Sequence, residues 1–289
     1  MRKDAVSPTI RTMPTPTQNI NQEEYKAFRL LLEQASGIVL GENKHYLVTS
    51  RLNGIMNEFS IASFTELMDR MKRDQKLRQR IMDAMTTNET SWFRDNYPYG
   101  VLKEKILPEA AKSKPASYRI WSAACSTGQE PYSISMIVSE FLSSPFSGLA
   151  ADCIKITGTD ISSSAMQQAK KGCYEGISVT RGLSPERKKR FFKENGTCWQ
   201  VTEEIQARVS FREMNLMQSY SFLGKFDVIF CRNVLIYFSQ ELKRDILKRM
   251  TQVLNPGGYL ILGGSESISG YSEDFELVKW NSGVIYRLK

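Results

Sequence analysis

Apolar positions along the chain keep two different rhythms, and the change falls near residue 118. From Asn21 they recur every three or four residues, the spacing of a helix with one buried face. Tyr25, Phe28, Leu31 and Leu32 make the first stripe. Asn21 stands as its cap, Glu24 in the reciprocal capping-box position and Gly37 as its stop. Val48, Leu52, Ile55 and Phe59 predict a second helix over about residues 43–59. Ser63 and Glu66 open a third, with Phe64, Leu67, Met68 and Met71 inside, and a fourth covers about 75–85. Together these predict an all-helical domain over 20–92, preceded by a Pro- and Thr-rich flexible tail over 1–19. Residues 86–99 read TTNETSWFRDNYPY, and Trp92, Phe93, Tyr97 and Tyr99 are too aromatic for a plain connection. A helix over about 99–111 then completes a linker region of 93–117.

From Tyr118 short apolar runs alternate with helical stretches. Strands are expected at 118–123, 153–160, 209–216 and 226–233, and again at 259–262. Helices are expected at about 131–142, from the serines at 162 onward, and at about 241–254, where Asn255-Pro256-Gly257-Gly258 stops the last. Strand, crossover helix and strand in succession predict an α/β doubly wound sheet over 118–289. FELVKW and GVIYRLK, joined by Asn281-Ser282, add a C-terminal antiparallel hairpin. A basic helix over 186–193, with strand-like content at 200–206 and 208–211, predicts a small antiparallel β subdomain at about 178–211.

Composition narrows the function classes. The net charge is +8, yet the helical region from 21 to 92 holds ten Lys and Arg against ten Asp and Glu. The positive bias is therefore no property of that domain, which argues against a nucleic-acid arm there. Five scattered cysteines without a C-x-x-C, and a single histidine, His45, give no zinc pattern. Reduced thiols in a cytoplasmic protein are the reading they favour. His45 lies on the flank of its helix stripe, as a satisfied or exposed histidine would. No run is long enough to span a membrane.

The chemistry collects where the strands end, since ligands of such sheets bind beyond the carboxyl ends of the strands. YRIWSAACSTGQEPYS, residues 118–133, reads as strand, turn and helix start, and contributes Ala124 and Glu130. Its turn carries a single glycine, and neither GxGxxG nor GxxxxGK[ST] occurs, so it makes a poor pyrophosphate cradle. The second strand ends on Asp160, the third on Asn215 and Leu216, the fourth on Arg232 and Asn233 with Tyr237 close behind. Asp160 is placed to accept from ribose hydroxyls or to cap a helix. Glu130 is placed to pair with a ligand ammonium or to complement a helix N-terminus. Asn215 suits an adenine edge, Leu216 its ring face, and Asn233 and Tyr237 the border of the reacting group.

TTNETSWFRD, AACSTGQEPYS, TGTDIS and FDVIFCRNVLIYF, in that order, resemble the bacterial chemotaxis receptor methyltransferase family, over about residues 21–289. One departure is Gln129 beside Glu130, where many relatives carry two glutamates. The resemblance implies an S-adenosylmethionine-dependent methyltransferase sheet. Its reaction would be methyl transfer to glutamate side chains on the cytoplasmic helices of chemoreceptors, with S-adenosylhomocysteine as product and no metal. It implies that Asn88, Thr90 and Arg94 reach the site from the interdomain segment, with Arg94 on the cofactor carboxylate or the substrate. Glu130 would hold the methionine amino group and Asp160 the ribose. Asn215, Leu216, Arg232 and Asn233 would surround the adenosine, and Tyr237 would orient the substrate. Lys44 and Arg51, seven apart on the second helix, are the candidates for meeting an acidic receptor. In some members the β subdomain also docks a receptor C-terminal tail peptide by strand addition.

The protein is thus expected to act as a cytoplasmic monomer without a nucleic-acid partner and without membrane insertion. The alternatives are a nicotinamide oxidoreductase, which needs the missing dinucleotide turn, and a methyltransferase for nucleic acid or another protein. The asparagine of an amine-methylating motif is followed by proline, whereas Val234 follows Asn233 here. A receptor-binding adaptor without transfer activity is the non-enzymatic alternative.

Overall fold

The structure is a computed structural model that describes residues 19–145, 147–281 and 283–289. The predicted tail over 1–19 lies outside the described residues apart from Asn19, as does Ser282 of the hairpin turn. Four helices come first: α1 (Gln22–Ser36), α2 (His45–Glu58), α3 (Phe64–Arg73) and α4 (Gln75–Met85). The capping box of α1 forms as the spacing implies, with Asn21 and Glu24 bonding each other's backbone and Gly37 left-handed at the far end. Ser63 caps α3 by accepting from Glu66 N, and Asp74 caps α4. Tyr25, Phe28, Leu52, Leu67 and Ile81 are among the residues that close a separate core inside this unit.

A bridging stretch follows: α5 (Tyr97–Val101), a π-helical turn (Leu102–Ile106) and α6 (Leu107–Ser113). The strands are β1 (Tyr118–Ala123), β2 (Ile154–Asp160), β3 (Cys173–Tyr174), β4 (Phe192–Asn195), β5 (Cys198–Val201), β6 (Val209–Glu213), β7 (Phe226–Cys231), β8 (Leu254–Leu262), β9 (Phe275–Trp280) and β10 (Gly283–Leu288). Between them lie α7 (Gln129–Leu142), α8 (Ser163–Lys171), α9 (Ile177–Thr180), α10 (Pro185–Phe191), α11 (Glu203–Ala207) and α12 (Gln240–Val253). The main sheet runs β6-β2-β1-β7-β8-β10-β9, parallel except for β10, which is antiparallel to β8 and β9. This is the expected doubly wound fold with its C-terminal hairpin. Adjacent residues of β1 feed opposite faces: Ile120 joins the core under α7, Trp121 the core under α12. The strand order reverses between β1 and β7, which opens the crevice where such sheets bind ligands.

Two expectations need correction. The small antiparallel sheet is β3-β5-β4, drawn from 173–201 instead of 178–211. Residues 203–207 are helical because Glu203 and Glu204 sit favourably in a first turn and Ile205 buries against α7. Val209–Glu213 belongs wholly to the main sheet, as its third strand. Nor are all the thiols free: Cys173 and Cys198 are joined as a disulfide across this small sheet, their Cα atoms 5.7 Å apart. Widely spaced cysteines hid the pair because the pairing of β3 with β5, not sequence proximity, brings them together.

The helical unit lies over the carboxyl ends of the strands. Gln79 Nε2 donates to Ile161 O (3.0 Å), Asn215 Nδ2 to Ala35 O (2.9 Å) and Val39 N to Tyr237 O (2.9 Å).

Candidate cofactor and substrate site

A cavity of about 330 Å³ lies between the helical unit and the strand ends, within the range of small-molecule sites. Its floor begins at the turn after β1. Ala124 and Ser126 there adopt positive φ (57° and 50°), and Gly128 does so at the start of α7 (93°). A Cβ on Gly128 would stand 2.9 Å from that of Ala169, so this one turn position requires glycine. The tight turn aims the first residues of α7 inward and buries Glu130, which is 8 % exposed.

Glu130 is held on both sides. Ser122 Oγ donates to Oε1 (2.7 Å) and Arg232 Nη1 to Oε2 (2.9 Å). Arg232, from the end of β7, also donates to Asp95 Oδ2 (2.6 Å) and to Arg94 O (2.8 Å). Burial alone would lower its pKa, but the carboxylates of Glu130 and Asp95 outweigh that and keep it charged. A buried pair of this kind costs desolvation and is retained where geometry matters. The carboxylate still has lone pairs for a ligand ammonium, so Glu130 can serve both partners.

Asp160 is placed differently. Its Oδ2 accepts from Ser126 N (2.8 Å) and its Oδ1 from Ser162 N (2.9 Å). The helix it was expected to cap or leave free is capped by Ser162, which accepts from Ala165 N. Burial pushes the Asp160 carboxyl up despite the two amide bonds. One lone pair on each oxygen stays free for vicinal hydroxyls. Ile161 follows it into the cavity wall. Asn215 reaches the wall too, but its amide is partly committed, donating to Ala35 O and accepting from Met217 N (2.9 Å). One N–H and one lone pair remain for an adenine edge. Leu216 is buried beside it.

The interdomain segment supplies the roof. Asn88, Thr90 and Arg94 all line the cavity. Asn88 O accepts from Ser126 Oγ (3.0 Å) and Asn88 Nδ2 donates to Ser162 Oγ (3.3 Å), which ties roof to floor. Arg94 is half-buried and spends one N–H on Glu89 O (3.3 Å). Ala124, Asn233 and Tyr237 complete the contour. All the cofactor-side and reacting-group residues expected from the sequence therefore meet in one cavity, although they span more than 100 positions.

Lys44 and Arg51 both reach the cavity wall but do not act alike. Lys44 is exposed at the start of α2. Arg51 is half-buried, and its Nη1 donates to Met85 O (3.0 Å) and Thr86 O (3.4 Å). It fastens the end of α4, where the last carbonyls lack helical partners, and so orders the segment that carries Asn88. The two cations therefore do not form one shared exposed face: Lys44 stays open to solvent, whereas Arg51 is committed to the carbonyls of Met85 and Thr86. His45 is satisfied, its Nε2 2.8 Å from Gln22 Oε1 and its ring stacked on Tyr25.

Several residues of the site carried no signal in the sequence. Glu266 accepts from the backbone of Asn233 (2.6 Å), Val234 (3.0 Å) and Gly263 (2.9 Å), and so fixes the left-handed turn at Asn233. Its partners are backbone groups, which no side-chain pattern reveals. Asp95, Ser122 and Tyr99 were likewise missed, although Asp95 and Tyr99 lie inside the aromatic segment already singled out. Cys125 also lines the cavity, but burial pushes its thiol well up, so it stays neutral and offers no thiolate. Among the described residues no cluster of metal-ligating side chains occurs.

The residues present fit a sulfonium nucleoside carrying an amino acid. There is a carboxylate for the ribose, a carboxylate for the ammonium, and in the same wall two buried donors without partners, Tyr99 Oη and Arg232 Nε.

Comparison with known proteins agrees. Residues 88–284 match the family described as CheR methyltransferase, SAM binding domain, and residues 23–86 match CheR methyltransferase, all-alpha domain. Chemotaxis protein methyltransferase 1 of Pseudomonas aeruginosa is 50% identical over 269 residues, covering 92% of this chain and 98% of that protein. Chemotaxis protein methyltransferase Cher2 of Pseudomonas putida is 48% identical over 270 residues, with 92% and 98% covered. The chemotaxis protein methyltransferase of Salmonella typhimurium is 33% identical over 266 residues, with 89% and 88% covered.

Proposed function

The chain belongs to the CheR family of chemotaxis protein methyltransferases, and on that premise we propose how its cavity serves the family's reaction. That reaction is methyl transfer from S-adenosylmethionine to glutamate side chains of chemoreceptors, so the chain is a protein-glutamate O-methyltransferase. The observation that supports the assignment of roles is the convergence of Glu130, Asp160, Arg232 and the Asn88–Arg94 segment on one cavity.

Bound S-adenosylmethionine supplies an electrophilic methyl group on a positively charged sulfur. Glu130 takes the ammonium of its amino-acid half and Asp160 the ribose hydroxyls. Leu216 packs on the adenine and Asn215 offers its remaining N–H to the ring edge. Ala124, Asn88 and Thr90 shape the wall between, and Asn233 borders the methyl. Arg94 steers a carboxylate from the roof, and Tyr237 orients the incoming glutamate.

The glutamate, with a pKa of about 4.3, is already ionised at neutral pH, so no general base is called for. The protein's contribution is alignment, worth up to about 7–11 kcal/mol for well-oriented reactants, and exclusion of water. Arg94 works best on the cofactor side, because a tight pair with the attacking carboxylate would hold it back.

At the mouth, Lys44 meets the acidic receptor helices. β4 is an edge strand of the small sheet, and a receptor tail peptide would add there. No helix among the described residues is long and apolar enough to cross a membrane. The protein works as a monomer on the cytoplasmic part of the receptor. The test is incubation with methyl-labelled S-adenosylmethionine and receptor cytoplasmic fragments. Label should pass to the receptor and leave as methanol in mild base. No transfer, or a base-resistant label, overturns the reading.

A further inference from the structure

Among the described residues of the cavity wall, Tyr99 carries a buried polar atom that no protein group engages. It is 2 % exposed, and its Oη is buried without a hydrogen-bond partner among the described residues. Its ring is fixed from several sides. Phe93 meets it edge-on with centroids 5.2 Å apart, Phe230 lies at 6.3 Å, and the Arg232 guanidinium carbon is 6.0 Å from its centroid. Ser133, close enough to bear on the phenol's ionisation, donates its own proton to Gln129 O (2.6 Å), accepts Phe93 N–H (3.2 Å), and makes no hydrogen bond with Tyr99. Burial pushes the phenol far up, so it stays a donor. A phenylalanine would fill the same space without leaving a buried hydroxyl unpaired, a defect that costs folding free energy.

The second idle donor lies beside it. Arg232 Nε is buried and unpartnered while both of its Nη groups are engaged. Glu130, the acceptor suited to an ammonium, is bonded to that same guanidinium. Two unfilled donors next to one carboxylate are the complement of an α-amino acid zwitterion: donors for its carboxylate, an acceptor for its ammonium.

We propose that Tyr99 Oη, with Arg232 Nε, donates to the carboxylate of the cofactor's methionine half, so that Tyr99 is a binding residue of the site. The proposal rests on the cofactor reading above. It explains why an unsatisfied hydroxyl is kept in the core: it is satisfied when the cofactor is bound.

The variant Tyr99→Phe separates this from a packing role, because it predicts opposite signs for two measurements. Without ligand, the variant should melt about 2–5 °C above the wild type, since an unpaired buried group has gone. In calorimetry, its affinity for S-adenosylhomocysteine should fall by about tenfold or more. For decarboxylated S-adenosylmethionine, which keeps the ammonium and lacks the carboxylate, wild type and variant should bind alike. Unchanged affinity for S-adenosylhomocysteine, an equal loss for the decarboxylated compound, or a lower melting temperature of the free variant would each overturn the proposal. Failure of the wild type to bind S-adenosylhomocysteine at all would instead strike at the cofactor reading itself.

Discussion

At the floor of the cavity the ionisable groups are bonded into the protein before any ligand arrives, whereas at its mouth Lys44 stands free. Arg232 is locked between Glu130 and Asp95, and Asp160 between two backbone amides. Lys44 is exposed and pairs with no carboxylate among the described residues, its ammonium lying 5.8 Å from the Tyr46 ring centre. Val39 and Ile236, also at the mouth, are 40% and 51% exposed. The floor is built from the ends of sheet strands and the first turn of α7. The mouth is shared between two units joined by hydrogen bonds such as Val39 N to Tyr237 O. The difference matches the two partners. A small cofactor of fixed shape rewards preorganised polar groups, and a large receptor helix can bring its own.

Disturbing the floor should therefore cost most. Arg232→Met leaves Glu130 and Asp95 without their cation, and breaking a buried pair costs about 3–5 kcal/mol. Urea unfolding should show a loss of that order, with cofactor binding gone. Retention of wild-type stability would mean that the pairing is incidental. Asp160→Ala comes next: about a 10- to 100-fold drop in S-adenosylhomocysteine affinity by calorimetry, as a charged acceptor is lost.

The same floor has a pH signature opposite to that of the scaffold. Burial raises the Asp160 pKa above its ordinary 3.8. Its contribution to stability is therefore present below 3.8 and lost as pH rises through the raised folded value. Glu140, bonded by Arg187 (2.7 Å) and Lys103 (2.8 Å) on the outer side of α7, is also subject to burial, but those cations hold it below 4.5. Its contribution is present above 4.5 and lost as pH falls through the lowered folded value. In urea titrations across this range, the gap between wild type and Asp160→Asn should narrow as pH rises, and that between wild type and Glu140→Gln should widen. Parallel curves for the two variants would erase the distinction.

The smallest effects belong to the mouth. Lys44→Ala should raise the receptor KM by about two- to fivefold at low salt, as loss of one exposed charge contact does. Arg51→Ala should weaken both receptor use and cofactor binding, because it releases the end of α4 that leads into Asn88. Sparing of cofactor binding by Arg51→Ala would return it to the receptor face.

Much of this division was visible in the chain itself. Capping residues such as Asn21, Ser63 and Gly37 mark their helices because their effect is local. The run Phe226–Cys231 announces a buried strand by its apolar content alone. Asp160, Asn215 and Arg232 could be placed because a parallel sheet puts every strand end on one edge. What stayed hidden depends on long-range geometry. The Arg232–Asp95 pair spans 137 positions and Glu266 reaches the Asn233 turn across 33. Arg51 looked like a surface cation because helical spacing says which face a residue lies on, not what covers that face. The Cys173–Cys198 pair escaped for a related reason, since β3 has only two residues and left no strand signal.

The most direct test of the division between floor and mouth measures two quantities on two variants. S-adenosylhomocysteine affinity and receptor KM are determined for Asp160→Ala and for Lys44→Ala under one set of conditions. The account predicts that Asp160→Ala loses cofactor affinity, while Lys44→Ala keeps it and loses only receptor affinity. A Lys44→Ala protein whose cofactor affinity falls as far as that of Asp160→Ala would contradict it.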